Sequence, residues 1–404
     1  MSKQNVLVRH LPTVTVVKLT AQRASAVIAL VLGVAGSPLG AQQWLASTSC
    51  TASAAPIADL AITHMVNVES AAASAVADAA LLVDPTCGAA KLVRAGIART
   101  EANGGSKEQW LASARAGKLT ASEVAFAESV ASGKWGEAGA NAIAAGDKSL
   151  VFALWASQAA GRTRVDQLAA FATAHAMHPR IAAPALNLLA YAYAQPTAGV
   201  TQVDFAKAKT YAEQYAKAYP SANSYDSQAE IAALSGDFAA ALASQVKSVD
   251  IAGDQASYLD RANAYSRRTR REQITTTLTN ALQKLAGADT SKKSLLGEMM
   301  VDCDSNMSPC YQMNPTTYMA SDADVKWVTD GTKVSDVKIY FFNDDTDMAI
   351  ATSMHNGTYV VNGRSVEYQA RASSVWMRND TTGAWTIVHS NYAPAGGAGI
   401  PAKP

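Results

Sequence analysis

The sequence predicts an α-helical solenoid of helix-turn-helix repeats, followed by a C-terminal α+β domain with a curved antiparallel sheet. Three observations predict it. Alanine supplies 58 of the 200 residues from 51 to 250 but only 11 of the 104 from 301 to 404, so the building material changes near residue 290. An aromatic residue recurs at a turn and precedes an alanine by three: Trp135 with Ala138, Phe205 with Ala208, Phe238 with Ala241. From Val334 onward, apolar and polar residues alternate between turn-forming clusters. Alanine has the highest helix propensity and lets helices approach closely, whereas β-branched and aromatic residues in period-two alternation suit a half-buried sheet.

The element order starts with an address. Ala24 to Gly36 is an uncharged apolar run behind Lys3, Arg9, Lys18 and Arg23, followed by Ser37, Pro38, Leu39, Gly40 and Ala41. That pattern reads as a cleavable signal peptide over 1–41. The run is shorter than the roughly 20 apolar residues that cross a bilayer, so the mature chain is expected to be periplasmic or secreted and not membrane-spanning. Without those four basic residues the balance is 30 basic to 33 acidic, which leaves no polybasic surface and excludes nucleic acid as an expected partner.

Export also decides how Cys50, Cys87, Cys303 and Cys310 are read. An even count in an oxidising compartment points to disulfides before metal. Local pairing, Cys50 with Cys87 and Cys303 with Cys310, is the simplest arrangement, although spacing alone leaves the connectivity open. No metal and no cofactor is expected. The domains follow as a helical-repeat domain over 42–287, a disulfide-containing connector over 288–333, a sheet domain over 334–394 and a flexible tail over 395–404.

Phe205 and Phe238 are 33 residues apart, and Pro179 and Pro220 are 41 apart with an extra turn, Pro196 to Gln202, between them. Both spacings approach a helix-turn-helix unit of roughly 34 residues. The segments Asn187-Leu-Leu-Ala-Tyr-Ala-Tyr, Asp204-Phe-Ala-Lys-Ala and Ala233-Leu-Ser-Gly-Asp-Phe, together with Pro220, resemble tetratricopeptide repeats over about 57–270. In such repeats the aromatics are core packing, and the inner groove of the stack binds peptides or proteins. Tyr191, Tyr193 and Tyr225, with Tyr211, Tyr215 and Tyr219, are the aromatic candidates for that groove. The basic stretch Arg261 to Arg271 reads as a solvated helix face.

In the C-terminal part Asn362-Gly363 is a two-residue hairpin signal, because both positions accept positive φ, and Asp380-Thr-Thr-Gly383 joins the next pair. Arg371-Ala-Ser-Ser-Val-Trp376-Met-Arg and Gly383-Ala-Trp385-Thr-Ile-Val-His389-Ser-Asn-Tyr-Ala-Pro394 resemble the closing hairpin of nuclear-transport-factor-2-like domains, of the SnoaL-like branch and of kinase association domains. The resemblance implies a cone with a pocket, or a domain that mediates self-association as a homodimer. Here Ile274 to Leu285 could serve as the helical wall of the cone.

An isomerase of this fold requires a carboxylate in an apolar pocket beside oxyanion donors. The candidates are Asp324, Asp336 or Glu367 with Tyr340, Tyr359 or Tyr368. On β periodicity Glu367, Gln369 and Arg371 share one face, Tyr368, Ala370 and Trp376 the other, and His389 and Asn391 lie with Trp385 and Ile387. Arg371, His389, Asn391, Trp376 and Tyr368 are therefore the expected contacts for a small polar ligand. His355 reads as a turn residue. The expected function is an exported protein-binding scaffold. The alternative is a cofactor-free SnoaL-type isomerase, dehydratase or cyclase acting through His389, Arg371 and Glu367 on a small polar or polyketide-like substrate.

Overall fold

The computed structural model describes residues 43–98, 105–158, 165–195, 202–252, 255–285, 290–303, 310–323, 326–342 and 347–397. The predicted signal peptide over 1–41 and Asp324 lie outside the described residues. Contacts divide the chain into two units, one ending at Ser227 and one beginning at Gln228.

The first unit is helical: α1 (Ala55–Val66), α2 (Ser70–Val83), α3 (Gly88–Ile97), α4 (Lys107–Arg115), α5 (Ala121–Ser132), α6 (Trp135–Ala144), α7 (Leu150–Ala156), α8 (Val165–Ala174), α9 (Pro179–Ala194) and α10 (Phe205–Ala218). α11 (Ala222–Leu234) then carries the chain across the division. From α1 to α10 each helix packs on its neighbour in sequence, α1 also on α3, and α3 on α5. Alanine does this work. Ala73, Ala77 and Ala80 line one face of α2 and are fully buried, so the backbone itself meets the next helix. Between α6 and α7 the approach is closer still: a Cβ on Gly139 would stand 2.8 Å from the Phe152 carbonyl oxygen. Trp135, Phe205 and the Phe238 of the next unit each open a helix, as their spacing predicts.

A strap of non-helical chain, Trp44 to Cys50, ties these helices together. The Trp44 side chain is fully buried, and its Nε1 donates to Thr63 Oγ1 at 2.9 Å. Its carbonyl accepts from Val151 N, and Ala46 N donates to Ser149 Oγ. The Cys50–Cys87 disulfide closes the far end over 37 residues, a loop whose cross-link stabilises the fold by about 4 kcal/mol in the chain-entropy account.

In the second unit α12 (Phe238–Ala252) pairs with α13 (Ala256–Leu285), 30 residues long. Phe238 meets Tyr265 at 6.4 Å, and Arg268 stacks over Phe238. The second half of α13 presents Ile274, Leu278, Ala281 and Leu282 to the core of the sheet. This helical wall is the segment that the sequence offered for it. Within the basic stretch Arg267 and Arg270 are exposed, while Arg271 lies over Phe341 of the sheet and fastens helix to strand.

The six strands are β1 (Leu296–Cys303), β2 (Tyr311–Met313), β3 (Lys326–Phe341), β4 (Met348–Val361), β5 (Arg364–Arg378) and β6 (Trp385–Gly397), in the open order β2-β1-β6-β5-β4-β3. β3 to β6 form the expected antiparallel meander. Two expectations are corrected. The sheet is mixed, because β1 pairs parallel to β6, and the segment 288–333 is more than a connector, since it supplies β1, β2, α14 (Pro315–Ala323) and the start of β3. A parallel partner nearly a hundred residues away leaves no local hairpin signal, and the burial of β1 does not alternate. Cys303–Cys310 closes the connection between β1 and β2. β6 runs on to Gly397, so the tail begins later than residue 395.

Candidate functional site

Chemistry on a sheet depends on which side chains face its core. On β5 the alternation is regular. Tyr368, Ala370, Ala372, Ser374 and Trp376 are buried, whereas Glu367, Gln369 and Arg371 are exposed on the other face. β4 contributes Ala349, Ala351, Ser353, His355 and Tyr359 to the buried side.

β6 breaks the alternation. Val375 pairs with His389 and Trp376 with Ile387, so Val388 is an extra residue, and the strand changes face there. Trp385 and Ile387 are buried before this bulge, Ser390 after it; His389 is half-buried and Asn391 exposed. This corrects the expectation that His389 and Asn391 share a face with Trp385 and Ile387, because one unpaired residue inverts all that follow. Gly297 on β1 makes room for the bulge: a Cβ there would stand 2.9 Å from the Ile387 carbonyl oxygen.

Of the expected ligand contacts, Trp376 and Tyr368 face inward, while Arg371, His389 and Asn391 face outward with Glu367. The structure therefore brings no Arg371–Glu367–His389 group to the inner face. Asp336 is exposed at a β3 irregularity with φ 52°, Tyr340 is exposed, and Tyr359 is buried near Tyr368.

The inner face carries polar groups that sequence reasoning missed. Asp302 is 2% exposed, pairs laterally with Ser390 and accepts a short hydrogen bond from its hydroxyl. Ser390 stands opposite Ser374, whose Oγ accepts from Trp376 Nε1 at 2.8 Å. His355, read from sequence as a turn residue, is a buried strand residue with Nε2 3.0 Å from Ser353 Oγ and its ring edge-on to Tyr392. Burial pushes its imidazole down to about 4, so it is neutral at physiological pH. The signal for Asp302 was its i, i+2 relation to Met300, another buried residue of β1. Asp302 and His355 stand on strands three spacings apart, about 14 Å along the sheet, so they do not form an acid–base pair.

Outward, the register aligns Val301, His389, Val375, Ile350 and Tyr340 in one row across five strands. Val301 is 38% exposed and Tyr340 47%, and Met299 and Met377 on the same sheet are as open. Lys338, Thr352, Ser373 and Asn391 form the polar row beside it.

In the helical unit Tyr193 stacks on Tyr211 at 5.7 Å, with the Lys207 ammonium 5.1 Å from the Tyr193 ring. Tyr191 and Tyr225 are half-buried, and Tyr215 is a core residue. Among the described residues no His, Cys, Asp and Glu group is arranged to hold a metal, and no helix is long and apolar enough to cross a membrane.

No family model matches the chain, and no curated protein matches it. Among solved structures, an NTF2-like protein of unknown function in nutrient uptake from Rhodospirillum rubrum is 14% identical, with a TM-score of 0.26 over 30% of this chain and 96% of its own. The association domain of C. elegans CaMKII is 16% identical, with a TM-score of 0.24 over 32% of this chain and 98% of its own. An NTF2-like protein from Cytophaga hutchinsonii gives 14%, 0.22, 31% and 91% for the same quantities. Likenesses of this extent carry no statement of what this chain binds or does.

Proposed function

We propose that the chain is an exported scaffold without catalysis of its own, whose C-terminal unit self-associates through the outward face of its sheet while the helical unit engages a protein or peptide partner. The row Val301–His389–Val375–Ile350–Tyr340, flanked by Met299 and Met377, carries the reading. A mostly apolar band on a sheet face, here interrupted by the half-buried His389 and rimmed by polar residues, is the signature of a protein interface. The two disulfides fit an oxidising compartment. Catalysis draws no comparable support, since Asp302 is engaged by Ser390 and His355 by Ser353 within the core.

Light scattering on the full chain tests the self-association. The expected result is a dimer or larger assembly at micromolar concentration that Val375→Lys or Ile350→Lys converts to monomer without loss of helical or sheet signal. A strictly monomeric wild-type protein would overturn the proposal.

A further inference from the structure

Three polar side chains from distant parts of the helical unit converge on one another. His64 stands in the last turn of α1, Glu69 at the N-cap of α2, and Tyr219 at the end of α10. The Tyr219 hydroxyl donates to Glu69 Oε2 at 2.7 Å and lies 2.8 Å from His64 Nδ1, which is itself 2.8 Å from Glu69 Oε2. Ser221 adds a further hydrogen bond to the carboxylate. The residues joined are 150 and 155 positions apart, so this contact ties the first helical hairpin to the turn after α10. α9 meets α1 on the same side of the unit.

The turn between His64 and Glu69 is strained. Val68 holds φ at 61°, a left-handed conformation that strains a β-branched residue, and its side chain is 61% exposed. No burial compensates that strain at Val68 itself. The Glu69 N–H to His64 carbonyl bond and the side-chain contacts above hold the turn in place. The cluster remains within reach of solvent, with the His64 side chain 21% and the Glu69 side chain 13% exposed.

We infer that His64, Glu69 and Tyr219 form an acid-released clasp that closes the helical unit by locking its first hairpin in a strained turn. Among the described residues, His64 and Tyr219 act on the Glu69 carboxylate, and Tyr215 on α10 and Arg180 at the start of α9 act on the Tyr219 phenol at its rim. Burial raises the Glu69 carboxyl, but the hydrogen bonds from His64, Tyr219 and Ser221 outweigh it and hold the group below the ordinary glutamate range. Burial, then the Glu69 charge, keeps the Tyr219 phenol protonated far above its usual range, so it stays a donor. A depressed carboxyl stabilises the closed state above the unfolded-state value, and that contribution is lost as pH falls through the folded-state value. Protonating Glu69 removes the acceptor charge on which the other groups converge, and the strained turn can then relax.

Hydrogen exchange on the full chain, read at the Val68 and Glu69 amides from neutral pH down to about pH 3.5, tests the clasp. Corrected for intrinsic rates, protection of these two amides is expected to fall by up to about tenfold over this window, while the α5 amides keep theirs. Tyr219→Phe, which preserves the ring, should lower protection already at neutral pH. Glu69→Gln should remove the acid-dependent drop. A wild-type profile that does not change with pH, an equal drop in Glu69→Gln, or loss of protection across the whole helical unit at once would overturn the inference, and the wild-type profile decides even where a variant fails to fold.

Discussion

Glu123 shows how one side chain can hold several segments. It is fully buried, and its Oε1 accepts from Thr48 Oγ1, Ser49 N, Ser49 Oγ and Ala89 N, while Oε2 accepts from Thr120 N. No cation is among these partners, so donors alone compensate for the desolvated charge. The same carboxylate closes the capping box of α5 and meets the first turn of α3. Glu123→Ala would strand these donors in the core; the expected cost is about 3–5 kcal/mol, read as a lower denaturant midpoint with an unchanged slope. Asp59 is the opposite case. Its Oδ1 accepts from Trp44 N at 2.6 Å, and burial, opposed by that bond, raises its pKa to about 6. A raised carboxyl favours the fold below its unfolded-state value, and that advantage is lost as pH rises through about 6. Asp59→Asn keeps an acceptor for Trp44 and should stabilise the protein on the order of 2 kcal/mol at neutral pH. The gain should shrink toward zero near the ordinary aspartate range, and thermal melts at both ends of that window check it.

At the scale of the element, what could be read in the sequence was what local chemistry dictates. Trp135, Phe205 and Phe238 open helices because an aromatic beside a turn fits the gap that alanine spacing leaves. Asn362 and Gly363 adopt φ of 51° and 76° because few other residues tolerate both. The second half of α13 was legible as a helical wall from the spacing of Ile274, Leu278 and Leu282. Features that depend on partners far along the chain were not legible. β1 has no tight-turn signal to announce it, and its parallel neighbour β6 lies beyond four other strands in sequence. Val388 carries no mark of a bulge, yet it sends His389 and Asn391 outward and brings Ser390 to Asp302. On β6 the face expected for each residue therefore holds before the bulge and is inverted beyond it. The clasp of His64, Glu69 and Tyr219 was invisible for the same reason: no pattern in sequence links residues separated by 150 positions.

For the whole molecule, one buried group in each unit responds to acid between neutral pH and about pH 5 in the opposite sense to the other. In the sheet unit His355 is buried neutral, with its pKa lowered to about 4. A depressed histidine favours the fold where it is neutral, and the contribution is lost as pH falls from the ordinary histidine range toward about 4. In the helical unit Asp59 acts the other way over much of that window, because its raised carboxyl takes up its proton as pH falls through about 6. Acidification from neutral pH to about pH 5 should therefore lower the melting transition of the sheet unit and raise that of the helical unit. Scanning calorimetry on the full chain should show the two transitions moving apart. His355→Gln, which can still bond Ser353, should cancel most of the downward shift and leave the other transition in place, a difference of about 2–3 kcal/mol at the acid end. Transitions that move together, or a sheet transition unmoved between wild type and His355→Gln, would show that His355 is not the group through which acid reaches this unit.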